Sequence, residues 1–143
     1  MVMRLITKII KKFAGKIPGI AIDSWILGGK NVTTEGSLIY GSVRYAFASN
    51  SIESISFFDI AFQSNFQLAS TLGHEMTHMI DITSGNYAKW YEKSGKFFKG
   101  SRLRMNQVIY RAEMNAYRWE IRFGDYNYAQ KQYEYYSNLT KLK

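Results

Sequence analysis

The stretch TLGHEMTHMID, residues 71–81, contains both histidines of the chain, His74 and His78, with Glu75 directly after the first. The pattern around it predicts a helix over 66–83. Ala69, Leu72, Met76 and Met79 recur at alternating steps of three and four, and Ser84-Gly85 supplies a stop. At about 3.6 residues per turn the two imidazoles stack on one face, nearly opposite that apolar stripe. A lone histidine on an apolar face is usually a core residue held by one hydrogen bond. Two on the other face, one turn apart, form a bidentate site, and neutral imidazole suits zinc. Glu75 is rotated by one residue step, beside such an ion rather than on it, where it can take a proton from water.

A catalytic zinc site takes three protein ligands and leaves a fourth position open. With two histidines in the chain and no cysteine, the third ligand must be a carboxylate. Asp81 shares the face of His74, but two helical turns separate them by about 10 Å, which suits a capping or supporting role instead. A second helix is predicted over 102–123, where Met105, Ile109, Ala112, Ala116, Trp119 and Phe123 form a stripe that Gly124 ends. Glu113 borders that stripe between Ala112 and Ala116, whose small side chains let a facing helix approach. It is therefore the expected third ligand, with Glu120, two turns on, as runner-up.

The remaining composition bounds the answer. A chain of 143 residues with 46% hydrophobic and 21% charged residues fits one domain, 1–143, with a modest core. The absence of cysteine removes disulfides, thiolate zinc and a cysteine nucleophile from consideration, and leaves the compartment open. Nineteen Lys and Arg against eleven Asp and Glu give a net charge of +8, which favours acidic partners, nucleic acid or an anionic surface. One basic group lies in 4–16. The other, Lys89 to Arg104, is interleaved with Trp90, Tyr91, Phe97 and Phe98, a mixture that single-stranded nucleic acid binders use. No nucleic-acid motif accompanies it, so a solvated basic loop is the plainer reading.

An amphipathic helix over 3–14, closed by Gly15 and Pro18, is a surface helix or a membrane-surface contact. No stretch reaches transmembrane length. The start lacks a long apolar run with a cleavage site, which implies a cytoplasmic protein, or an effector delivered without a recognisable signal peptide. Residues 31–62 read as β structure. In SLIYGSVRYAF, Ile39, Val43, Tyr45 and Phe47 share one alternation with Gly41 as a bulge. SISFFDIAF is a second strand, and Asn50-Ser51 turns between them. Residues 86–101 read as irregular or briefly helical, and the tyrosine-rich tail as a last helix. The fold expected is α+β.

HExxH followed thirty-five residues after His78 by Glu113 on a second helix resembles the gluzincin division of zinc metallopeptidases. Glu113-Met114-Asn115-Ala116 is similar to the ExxA form found in several small bacterial members. HEMTHMIDITSG resembles the thermolysin-type active-site helix. The resemblance covers about 52–123 and implies a minimal zincin-like domain, with a small twisted sheet packed on the active-site helix and a second, glutamate-bearing helix. It implies Zn2+ on His74, His78 and Glu113, Glu75 as general base in peptide-bond hydrolysis, and an extended peptide or protein substrate lying along a sheet edge near SISFFDIAF. Such domains act as regulatory peptidases or as toxin modules. The chain departs from thermolysin-like enzymes at Tyr117, where an aspartate normally orients the first histidine, which leaves Glu120 or a backbone carbonyl as candidates to support His74. Tyr110 and Tyr117 flank Glu113, with Arg118 nearby, and Tyr117 is the expected oxyanion-stabilising residue. The competing function is a non-catalytic basic domain that binds nucleic acid or an acidic protein, with a vestigial or structural metal site.

Overall fold

The computed structural model describes residues 25–27 and 40–142. The expected helix over 3–14, and Ile39, lie outside these. The described elements are strands β1 (Trp25–Leu27), β2 (Gly41–Ala46) and β3 (Ser51–Phe57), a 3-10 turn (Asp59–Phe62), and helices α1 (Asn65–Thr83), α2 (Asn86–Ser94), α3 (Ser101–Phe123) and α4 (Tyr128–Leu139). The fold is a mixed α+β domain. Among its described residues no helix is long and apolar enough to cross a membrane.

The sheet runs β1-β3-β2, with β1 parallel and β2 antiparallel to the central β3. The β2–β3 turn uses Asn50 at φ 50°, a left-handed conformation that asparagine tolerates better than branched residues. The bulge is not at Gly41. Arg44 pairs with Ser54 and Tyr45 with Ile52, which leaves Glu53 of β3 as the extra residue. This shift brings Ile52 and Ile55, three apart, onto one buried face. SISFFDIAF is only partly strand. After Phe57 the apolar residues stop alternating, Phe58 N–H donates to Tyr40 O, and the chain coils so that Ala61 is buried. Because β3 is central, the sheet edge available beside the helices belongs to β2.

Helix α1 lies between the sheet and α3. Ser64 caps it by accepting from Gln67 N–H, and Gly85 at φ 84° ends it. Its buried line is Leu68, Leu72, Glu75, Met79 and Ile82, one residue round from the expected stripe, so Ala69 and Met76 are only partly buried. The histidines sit beside this line, not opposite it, and Glu75 falls within it. They are buried too, because α3 covers their side of the helix.

Helix α2 takes up nine residues of the 86–101 stretch, which the sequence reads as irregular or briefly helical. Tyr87, Trp90, Tyr91 and Ser94 follow helical spacing, with Tyr87 and Ser94 buried. On α3 the buried residues are Gln107, Val108, Ala112, Met114, Ala116 and Glu120, whereas Ile109 and Phe123 of the expected stripe are exposed. Helix α4 packs on α3. The following segment is clamped by Gln107, whose Oε1 accepts from Lys141 N at 2.7 Å and from Thr140 Oγ1 at 3.3 Å.

Candidate metal centre

Two glycines set how closely other elements approach α1. A Cβ on Gly73 would stand 2.0 Å from the Trp119 ring, so α1 and α3 meet here at a distance only glycine allows. A Cβ on Gly41 would stand 3.0 Å from Glu75 Cγ and 3.1 Å from Thr71 Cγ2. Gly41 thus admits β2 against the Glu75 face of the helix, which explains a glycine in a strand without a bulge.

Across this seam His74, His78 and Glu113 come together, with ligand atoms all within 4.8 Å of one another. His74 Nε2 and His78 Nε2 are 3.0 Å apart. Glu113 Oε2 lies 3.3 Å from His74 Nε2, and its Oε1 lies 3.2 Å from His78 Nε2. A tetrahedral zinc ion with bonds of about 2.0–2.1 Å separates its donors by roughly 3.3–3.4 Å. Two imidazole nitrogens and a carboxylate at this spacing therefore fit a divalent ion without rearranging either helix. The same donors accept other first-row metals.

Electrostatics agree with a site poised around a cation. Burial works against charge on His74, but Glu113 and, behind it, Glu120 outweigh this and raise its pKa well above the ordinary imidazole value. Burial likewise works against charge on Glu113, yet His78 and His74 hold it far below the usual carboxylate range. For Glu75 burial dominates and raises the pKa, with the imidazoles pulling it partly back. Glu75 is 4% exposed and its Oε2 has no hydrogen-bond partner.

Glu120 stands outside the ligand group. Its Oε1 is 3.5 Å from His74 Nδ1 and accepts from Ser70 Oγ at 3.2 Å, so it faces the ring from the side away from Glu113. Asp81 ties three helices together instead of approaching the imidazoles. Its Oδ1 accepts from Asn86 Nδ2 at 2.9 Å and its Oδ2 from Asn115 Nδ2 at 3.1 Å. Tyr117 lays its ring edge against His74, with centroids 4.7 Å apart, and meets the Tyr128 ring edge-on at 6.1 Å. Arg118 donates to Tyr133 Oη at 3.0 Å.

The three ligand residues and Glu75 line one open cleft of about 1140 Å³. Its other walls include Gly41 and Tyr45 of β2, Tyr87 of α2, and Tyr128 and Tyr136 of α4. The α4 tyrosines and the Ser70–Glu120 bond have no signature in the sequence, because nothing local places them near His74. Gly73, a glycine inside a helix directly before a ligand, was a readable signal of close approach. No family model, curated protein or solved structure matches this chain, so the site stands on its own geometry.

Proposed function

We propose that this chain is a zinc-dependent peptidase of gluzincin type, with a zincin-like arrangement of sheet and helices. One observation carries the proposal. Glu113 reaches both imidazoles from a second helix, while Glu75, on the same helix as those imidazoles, presents an unpartnered carboxylate oxygen to the same cleft.

Zinc held by His74, His78 and Glu113 would supply Lewis acidity toward a water molecule and a carbonyl oxygen. Glu75 Oε2 takes the proton of the attacking water and delivers it to the departing amine nitrogen. Glu120 fixes the ring of His74 by accepting at Nδ1, which leaves Nε2 to bind. Tyr117, whose ring lies against His74, and Tyr128, packed edge-on to it, both line the cleft and offer a hydroxyl donor for the developing oxyanion. Among the described residues β2 is an edge strand, and Gly41, Ser42 and Val43 line the cleft, so an extended peptide can add along it.

Zinc content and peptide-bond cleavage of the wild type, Glu75→Gln and Glu113→Ala test this. Glu75→Gln retains zinc and loses cleavage by a factor on the order of 10² or more. Glu113→Ala loses both. A folded wild type that cannot take up zinc sinks the proposal.

A further inference from the structure

We propose that the cleft accepts a peptide segment carrying lysine or arginine, so that this basic chain acts on a cationic partner. This rests on the peptidase reading of the same cleft. The chain has nineteen Lys and Arg against eleven Asp and Glu, yet no Lys or Arg is among the described residues that line the cleft. The charged side chains there are Glu75, Glu113, Glu120 and Asp125, together with the two histidines. Several cations are tied elsewhere. Arg44 pairs with Glu53 at 3.2 Å, Arg104 donates to Tyr91 O at 2.9 Å, Arg111 to Asn115 Oδ1 at 2.9 Å, and Arg118 to Tyr133 Oη at 3.0 Å.

Unsatisfied acceptors point the same way. Glu75 Oε2 and Glu120 Oε2 are buried and have no hydrogen-bond partner, on side chains that are 4% and 6% exposed. A divalent ion on the three ligands offsets two of the four carboxylate charges and leaves the walls net negative. An acidic peptide or a nucleic acid strand entering this cleft would meet like charge. A lysine or arginine side chain meets the reverse. Its stem can lie along the tyrosine faces, among them Tyr45, Tyr87, Tyr128 and Tyr136, while its head is drawn by ring quadrupoles and carboxylates. Asp125, in the link between α3 and α4 and only partly buried, is the carboxylate available at the rim. Among the described residues Lys89, Lys93, Lys96, Lys99 and Arg102 are exposed and work by contrast, repelling a cation that the cleft attracts.

The test uses zinc-loaded Glu75→Gln protein, in which peptides persist while Glu113, Glu120 and Asp125 keep the walls net negative, and fluorescent peptides identical except for a central lysine, alanine or glutamate. Anisotropy should place the lysine peptide about tenfold tighter than the alanine peptide and the glutamate peptide weakest, with the spread narrowing as salt rises. Adding Asp125→Asn should shrink the lysine-over-alanine preference several-fold. Equal affinities, or tightest binding of the glutamate peptide, overturn the proposal. A preference unmoved by Asp125→Asn overturns the assignment of the cationic contact to the Asp125 rim. Zinc-loaded wild type is assayed for cleavage of the same peptides. Binding in the expected order without any cleavage rejects the peptidase reading alone, whereas cleavage without charge preference rejects the cationic substrate alone.

Discussion

Glu120 shows how a residue can govern the site without joining it. Its Oε1 stands 3.5 Å from His74 Nδ1 and accepts from Ser70 Oγ, and such outer partners fix both tautomer and ring angle. Glu120→Ala should weaken zinc affinity by about 10–100-fold, measured by competition with a chromophoric chelator. Glu120→Gln should recover part of that loss, since its carbonyl oxygen can still accept. Proton linkage adds a second expectation, for the metal-free protein. The pKa of His74 is raised in the folded state, against burial, by Glu113 and Glu120. A raised value means the folded protein holds that proton while the unfolded chain, near pH 6.5 and above, releases it. Stability from His74 is therefore complete below about pH 6.5 and is lost as pH rises through the folded value. Thermal melts of the chelator-treated protein across this range should show Tm falling with pH. With zinc present the trend should reverse, because metal displaces the proton.

At the scale of elements, the contact between α1 and α3 decides whether a site exists. Trp119 occupies the space that any side chain at 73 would need, and it stacks on Phe123 with centroids 5.0 Å apart. Gly73→Ala places a methyl within the ring's own volume, so the helices must separate or the indole must leave its place. Helix propensity alone would favour alanine by about 1 kcal/mol, but overpacking costs about 1–3 kcal/mol and should dominate. Denaturant melts should show net destabilisation, with zinc affinity reduced because Glu113 withdraws from the histidines. The paired variant Gly73→Ala/Trp119→Leu should recover stability beyond additivity. The Asp81 links to Asn86 and Asn115 act one turn beyond the ligands, where they keep α1, α2 and α3 in register.

For the whole molecule, core and site are adjacent but separable. Ile55, Phe57, Met79 and Val108 are fully buried in a cluster built from sheet, α1 and α3, and none of them is a ligand. Removing zinc should therefore leave a folded protein with unchanged far-UV circular dichroism. Zinc that binds only the folded state adds about 2.7 kcal/mol when its free concentration is about 100 times Kd, so chelation should lower Tm by several degrees. Loss of secondary structure on chelation would instead make the metal a folding element of this domain.

The sequence by itself determined the parts that depend on neighbours along the chain. The spacing of His74, Glu75 and His78, the helix ends at Gly85 and Gly124, and the turn at Asn50 follow from backbone geometry repeated over a few residues. The small neighbours of Glu113 also marked the face that meets α1. Only tertiary packing decided the rest. Which side of α1 is buried depends on α3 lying across it, so the buried line ran one residue away from the local apolar pattern. The bulge at Glu53 depends on strand pairing, and Gly41 is needed because α1 lies against it. The Glu120 contact with His74, forty-six positions along, and the placing of the α4 tyrosines in the cleft of His74 join faces whose proximity no short-range periodicity encodes. Local repeats carry chemistry and register, whereas the meeting of distant faces is set by how whole elements exclude one another's volume.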